Sequence, residues 1–339
     1  MAVTMSKTKF ANIQACANAQ GVISAAAMDQ RGSLKKAIAK DKGSEPGPNA
    51  LGEFKTIVTQ VLTPHASAIL LDPPYGLEAS QARASDTGLL LAYEKSGYDT
   101  TSEGRLPDLL ETWSVHRLAE AGANAVKILL YYNPFDKEEI NDVKHAFVER
   151  IGAECETVGL PLFLEPITYD DSISDDLELA KLKPKYVIKG IEELSKPQYR
   201  IDVLKVEFPL IAKHVDGLQA AQGNPIAYSR EEAFDYLKQA SEAAKKPFIF
   251  LSAGVDMDVF VESLQLAADS GARYNGVLCG RATWKKGIPI YAKQGAAALE
   301  AWLQDEGVAN INKLNAVLDT SATPWWDIYG GKDNITFTD

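Results

Sequence analysis

Asp202-Val203-Leu204-Lys205-Val206-Glu207-Phe208-Pro209 is a β-branched and apolar run closed by a proline, and it reads as a buried strand with a lysine at its centre. An ammonium buried without a partner is costly, and the same burial favours the neutral amine, the form that attacks a carbonyl. Two plainer readings compete with this one: a lysine on the wet face of an edge strand, or one whose stem is buried while its head reaches water. The segments on either side of the strand narrow the choice.

Downstream lie two more short apolar runs, Phe248 to Leu251 before Ser252-Ala253-Gly254, and Gly276 to Cys279 before Gly280-Arg281. Upstream lie five: Gly21 to Met28, Ala66 to Leu71, Gly88 to Tyr93, Ala125 to Tyr131 and Leu160 to Glu165. Helical periodicity fills most of the gaps. It begins at Leu34, resumes through Phe54, Ile57, Val58 and Val61, and returns over Glu111 to Ala121, where Gly122 is placed as a stop. Asp136 to Glu139 and Ser229 to Glu232 read as capping boxes, opening helices to about Val158 and to Ala244. Further helices are expected around Tyr186 to Leu194 and Val259 to Ala268, whereas only a short linker is expected between Asp72-Pro73-Pro74 and Gly88.

Eight strands mostly alternating with helices predict an α/β fold, a parallel (β/α)8 TIM barrel with its helices outside. A doubly wound sheet uses the same elements, but no G-x-G-x-x-G follows the first strand and no P-loop occurs. Helical segments from Ile290 to Thr320 and the Trp325-Trp326 tail lie beyond the eighth strand. Residues 290–339 are therefore expected to form a helical extension packed on a single domain spanning residues 1–339.

Composition bounds the partners. In 339 residues, 46% of them hydrophobic, 35 Lys plus Arg stand against 46 Asp plus Glu, a net charge of −11 that repels nucleic acid and anionic membranes. No run is long enough to span a membrane, and the start lacks a long apolar segment of the secretory kind. Cys16, Cys155 and Cys279 are scattered and odd in number, which suggests reduced thiols and a cytoplasmic protein.

In a barrel the chemistry gathers at the carboxyl ends of the strands. Asp29 follows the first strand, Lys127 lies in the fourth, Glu165 ends the fifth, Lys205 lies in the sixth and Arg281 follows the eighth. Each has an alternative use. Asp29 would serve as a helix cap, Lys127 as half of a structural ion pair, Glu165 as an acceptor for loop N–H groups, Arg281 as a surface charge. Their convergence on one rim favours a site. His65, His116, His145 and His214 are dispersed, without ligand spacing, so no metal is expected.

MDQRGSL (Met28 to Leu34), LLLAYEKSGYDT (Leu89 to Thr100), VKILLYY (Val126 to Tyr132), LEPITY (Leu164 to Tyr169), VLKVEFP (Val203 to Pro209) and LSAGV (Leu251 to Val255) together resemble the class I tagatose 1,6-bisphosphate aldolases, nearly end to end. That family is similar in fold and chemistry to the Schiff-base fructose-bisphosphate aldolases. The resemblance implies a (β/α)8 barrel with its imine-forming lysine on the sixth strand, where Lys205 stands. It also matches Asp29, Lys127 and Glu165 to the family's polar catalytic positions.

The implied substrate is a small sugar bisphosphate cleaved without cofactor. Lys205 attacks as an amine, Lys127 helps to keep it neutral by like-charge repulsion, and Glu165 and Asp29 share the proton work. Ser252, Gly254, Gly280 and Arg281 suit the C1 phosphate, although Ser-Ala-Gly also suits a plain strand-ending turn. Gln30 and Arg31 are the expectation for the far phosphate. Alternatives are the same chemistry on fructose 1,6-bisphosphate or a sulfonated ketose 1-phosphate, a histidine-dependent metal aldolase, or a sugar-phosphate sensor without catalysis. The sequence leaves the oligomeric state open, a homo-oligomer included.

Overall fold

The alternating pattern closes on itself. The computed structural model describes residues 3–98 and 101–338; Asp99 and Thr100, the last two residues of the Leu89 to Thr100 motif, lie outside the described residues. The described chain opens with β1 (Val3–Ser6). Eight parallel strands follow: β2 (Ile23–Ala27), β3 (Ala68–Leu71), β4 (Gly88–Ala92), β5 (Ala125–Tyr131), β6 (Leu162–Ile167), β7 (Val203–Glu207), β8 (Phe248–Leu251) and β9 (Gly276–Cys279). They pair in chain order, and β9 pairs back onto β2 to close a barrel. The strand read from Asp202 to Pro209 is thus β7, sixth in the barrel.

Between and after the strands run α1 (Lys7–Ala15), α2 (Gly32–Lys42), α3 (Ala50–Leu62), α4 (Pro73–Ser80), α5 (Val115–Glu120), α6 (Glu138–Val158), α7 (Asp176–Leu194), α8 (Arg230–Ala243) and α9 (Met257–Ser270). Past β9 come α10 (Arg281–Trp284), α11 (Gly287–Gln294), α12 (Ala296–Trp302) and α13 (Val308–Ser321). The last of these packs on α9, and α11 on α2. A tenth strand, β10 (Ile335–Thr338), pairs in parallel with β1, so the two ends of the described chain are joined outside the barrel.

Strand alternation sorts the apolar residues into two layers. Ala25, Ala27, Leu70, Leu90, Ala92, Ala125, Phe163, Val203, Ile249 and Leu278 fill the barrel interior. Their neighbours in sequence, such as Ile69, Leu91, Val126, Leu164, Leu204 and Val206, point outward beneath the helices.

Several local expectations change. The stretch after Asp72 is not a linker but helix α4: Pro73 and Pro74 occupy its first turn, where no N–H is needed, and Asp72 caps it by accepting from Tyr75 N at 3.2 Å. The Asp136 box does not form. Lys137 is the N-cap and makes no side-chain cap bond, while the Asp136 carboxylate accepts from Lys137 N at 3.0 Å and from the Tyr169 hydroxyl. The Ser229–Glu232 box does form, with Ser229 N donating to Glu232 at 2.8 Å and Glu232 N to Ser229 at 3.2 Å. Helix α7 starts ten residues before Tyr186, at Asp176, and carries Pro184 within it, while β6 runs on through Pro166, which stays in the ladder opposite Leu130. Among the described residues no helix is long and apolar enough to cross a membrane.

Candidate active site

Strand periodicity builds the site. Two residues past an interior apolar side chain, the next inward position on the same strand carries a charge: Asp29 after Ala27, Glu94 after Ala92, Lys127 after Ala125, Glu165 after Phe163, Lys205 after Val203. Five neighbouring or facing strands thus place one charged layer directly above the apolar plug, at their carboxyl ends. Asp29, Glu94, Glu165 and Lys205 of that layer form the floor of an open cavity of about 730 Å³, with Lys127 buried beneath it.

Lys127 is fully buried and sits among three carboxylates. Its Nζ donates to Asp29 Oδ2 at 2.9 Å and to Glu94 Oε1 at 2.7 Å, and it lies 2.7 Å from Glu165 Oε2. Lys205 Nζ lies 2.9 Å from that same Glu165 oxygen. Both lysine contacts with Glu165 are ion pairs whose approach angles fall outside those of a hydrogen bond. By formal charge, three carboxylates face two ammonium groups.

Burial alone would make Lys127 easier to deprotonate, but Asp29, Glu165 and Glu94 outweigh it and hold its pKa well above the usual lysine value. Burial alone would raise Asp29, but Lys127 and then Lys205, with the hydrogen bond from Lys127, pull it well below the usual carboxylate range. Lys127 is therefore a fixed cation whose charge is shared by three anions. The repulsion it was expected to exert on Lys205 is offset by Glu165, which touches both lysines.

The remaining expected residues line the same cavity. Ser252, Gly254, Gly280 and Arg281 stand at the ends of β8 and β9. The turn there is left-handed at two successive residues, Ala253 (φ 48°) and Gly254 (φ 77°). Gln30 also lines the cavity, its Oε1 buried without a hydrogen-bond partner in the protein. Arg31 lines it as well, but its guanidinium is engaged inward: Nη2 donates to Glu94 O at 2.8 Å, and Nε lies 3.4 Å from Asp72, which itself pairs with the buried Lys55. On that side Lys36 and Lys95 also line the cavity, Lys95 bonded to Asp108 at 2.8 Å and Glu111 at 2.7 Å.

Sequence reading missed Glu94, Lys36, Lys95 and Tyr131. Glu94 had a usable signal, the same two-residue step past an inward alanine that marks Asp29 and Lys127. The four histidines remain apart, and among the described residues no group of three His, Cys, Asp or Glu side chains is arranged to hold a metal. His214 Nδ1 donates to Pro225 O at 2.7 Å, and His145 Nε2 shares a hydrogen bond with the Tyr132 hydroxyl at 2.9 Å.

A closed parallel barrel with a charged cluster at the carboxyl ends of its strands defines a TIM-barrel enzyme. Residues 23–286 match the model of the DeoC/LacD family aldolases, and the chain belongs to that family. It is 50% identical over 335 residues to the tagatose 1,6-diphosphate aldolase of Listeria monocytogenes serotype 4b (strain CLIP80459), covering 98% of each chain. It is 49% identical over 325 residues to the tagatose 1,6-diphosphate aldolase of Staphylococcus aureus (strain JH9), covering 95% of this chain and 99% of that one. In fold it is similar to the fructose-bisphosphate aldolase of Plasmodium falciparum, with a TM-score of 0.67 at 14% identity over 92% of this chain and 97% of the other. A Schiff-base-forming fructose-1,6-bisphosphate aldolase matches with a TM-score of 0.52 at 12% identity, over 86% of this chain and 97% of the other.

Proposed function

We propose that the protein is a class I aldolase that cleaves D-tagatose 1,6-bisphosphate reversibly into dihydroxyacetone phosphate and glyceraldehyde 3-phosphate. The observation that carries this reading is a buried lysine, Lys205, whose Nζ lies 2.9 Å from a carboxylate oxygen at the floor of a cavity large enough for a six-carbon bisphosphate. The half-identical relatives from Listeria and Staphylococcus support the choice of substrate.

The steps follow from the groups present. Lys205 adds as an amine to the C2 carbonyl, and the carbinolamine loses water to give a protonated imine. Glu165, 2.9 Å from Lys205 Nζ, takes the proton whose loss frees the amine and returns it to the carbinolamine hydroxyl, which leaves as water. Loss of the C4 hydroxyl proton then breaks the C3–C4 bond. Its electron pair enters the imine as an enamine, and the aldehyde departs. Protonation at C3 and hydrolysis of the imine release dihydroxyacetone phosphate and free Lys205. The surplus carboxylate charge around Lys127 and Lys205 stabilises the cationic imine, an electrostatic gain concentrated on the charged intermediate. The Ser252–Gly254 turn with Gly280 and Arg281 holds the C1 phosphate. Lys36 and Lys95, which line the same cavity, supply charge for the far one.

The test is trapping. Dihydroxyacetone phosphate and borohydride should leave a stable adduct on Lys205, located by mass spectrometry, and tagatose 1,6-bisphosphate should release both triose phosphates. A label on another lysine, or none in an active enzyme, overturns the imine assignment. Cleavage of the fructose epimer alone overturns the substrate.

A further inference from the structure

Glu94 touches no reacting atom in these steps, yet it is firmly mounted. Its backbone is pinned from three directions: Leu110 N donates to Tyr93 O at 3.0 Å, Lys95 N to Asp108 O at 2.9 Å, and Arg31 Nη2 to Glu94 O at 2.8 Å. One side-chain oxygen, Oε1, takes the Lys127 ammonium. The other, Oε2, is buried without a hydrogen-bond partner in the protein, on a side chain 9% exposed that lines the cavity. A buried carboxylate oxygen lacking a donor carries its full desolvation penalty, so a rigid mount that preserves one suits a donor arriving from outside. Hydroxyl groups on a sugar chain are such donors.

Strand order fixes which part of the substrate meets it. With C2 on Lys205 and the C1 phosphate at the ends of β8 and β9, carbons 3 to 6 run away from those strands. Glu94 ends β4, four strands from β8 in an eight-strand ring and so across the barrel. It faces the half of the ketose that leaves as aldehyde.

We propose that Glu94 is a substrate-binding residue whose Oε2 accepts a hydrogen bond from a hydroxyl of the aldehyde half. The assignment rests on the aldolase reading above, with Lys205 as the imine lysine. It makes Glu94 bifunctional: one oxygen holds Lys127 in place and the other reads the sugar. Arg31 becomes its brace rather than a phosphate ligand.

The experiment separates the two halves of the reaction in wild type, Glu94→Gln and Glu94→Ala. Borohydride trapping of dihydroxyacetone phosphate on Lys205 needs no aldehyde, whereas condensation with glyceraldehyde 3-phosphate does. Both variants should raise KM for glyceraldehyde 3-phosphate at least tenfold, while in Glu94→Gln, whose carbonyl oxygen still accepts from Lys127, the trapping rate falls less than threefold. Should the alanine variant fail to fold, the isosteric glutamine carries the test. Equal losses in both readouts, the signature of a disturbed Lys127, overturn the proposal, as does an unchanged KM for the aldehyde. Absence of labelling at Lys205 in wild type is a different result, and it removes the aldolase reading together with this one.

Discussion

Gly254 faces the guanidinium of Arg281 so closely that a β-carbon built on it would lie 2.7 Å from Cζ and 3.0 Å from Nε. The glycine serves twice there, since its φ of 77° also lies in the left-handed region that L side chains avoid. Two variants follow. Arg281→Ala should weaken binding of the C1 phosphate by about 1.5 to 3 kcal/mol, as expected for a charge-assisted hydrogen bond, and raise KM for the bisphosphate. Gly254→Ala should cost about 1 to 2 kcal/mol of stability and raise KM too, because the methyl displaces a flexible arginine more easily than backbone. Combined, the two should raise KM no further than Arg281→Ala alone, the non-additivity of residues acting through one contact. An unchanged KM in Arg281→Ala removes that arginine from the phosphate site.

Lys127 is the hub on which two buried carboxylates and the largely buried Asp29 depend, so Lys127→Met should be severe. Removing one partner of a buried ionic cluster costs about 3 to 5 kcal/mol, because the remaining charges lose compensation. The sign of its pH dependence follows from the directions of the shifts. Asp29 is held below its unfolded value, so its contribution is complete above about pH 4 and is lost as pH falls through the folded value. Lys127 is held above its own, so its contribution is complete below about pH 10 and is lost only as pH rises through the folded value. Wild type should accordingly have a flat stability across neutrality. In the methionine variant Asp29 keeps its burial but loses its main counter-charge, so its pKa should rise and protonation should relieve the strain on acidification. Urea unfolding at pH 7.5 and pH 5 measures both proteins. A gap between them that does not narrow at the lower pH contradicts this picture.

Metal dependence is tested by chelation. Because His145 and His214 have separate partners and no ligand cluster is present among the described residues, prolonged treatment with a strong chelator should leave turnover unchanged. Activity lost and then restored by zinc would require a different mechanism.

The barrel is legible because its signal is local: β5, β8 and β9 match the sequence reading residue for residue, and β4 and β7 to within a few residues, from apolar runs bounded by Gly, Pro and charge. What escaped depends on distant partners. The pairing of β1 with β10 joins residues 3 and 335, and four-residue strands at opposite ends of a chain carry no mark of each other. Asp136 looked like a cap until Tyr169, thirty-three residues on, claimed its carboxylate. The Asp72-Pro73-Pro74 run reads as a stop, although proline is equally at home in a first helical turn. For the site, Asp29, Glu165, Lys127 and Lys205 were chosen for position and resemblance. Glu94 was passed over because Glu-Lys-Ser after a strand looks like solvated loop, and only the inward step from Ala92 sets it apart. Arg31 could not be judged from sequence at all, since its engagement with Glu94 O and Asp72 spans sixty-three and forty-one residues.

Glu165 and Lys205 should fail in different ways. The carboxylate ends its inward register on β6, the lysine on the adjacent β7, and one oxygen of Glu165 lies 2.9 Å from the Lys205 nitrogen. Glu165→Gln keeps the shape of the side chain but cannot exchange protons near neutral pH, so turnover should fall about 10²- to 10⁴-fold, the range of general acid–base catalysis. The nucleophilic nitrogen remains, so slow borohydride trapping of dihydroxyacetone phosphate should persist. Lys205→Ala should abolish trapping and turnover together. Both lysines lose an anionic neighbour in Glu165→Gln, but Lys127 retains Asp29 and Glu94, so folding should survive. Single-turnover triose release and trapping, measured on both variants at one pH, separate imine formation from bond cleavage. Wild-type turnover in Glu165→Gln would make that carboxylate structural and leave Asp29, on the far side of Lys127, to carry the proton.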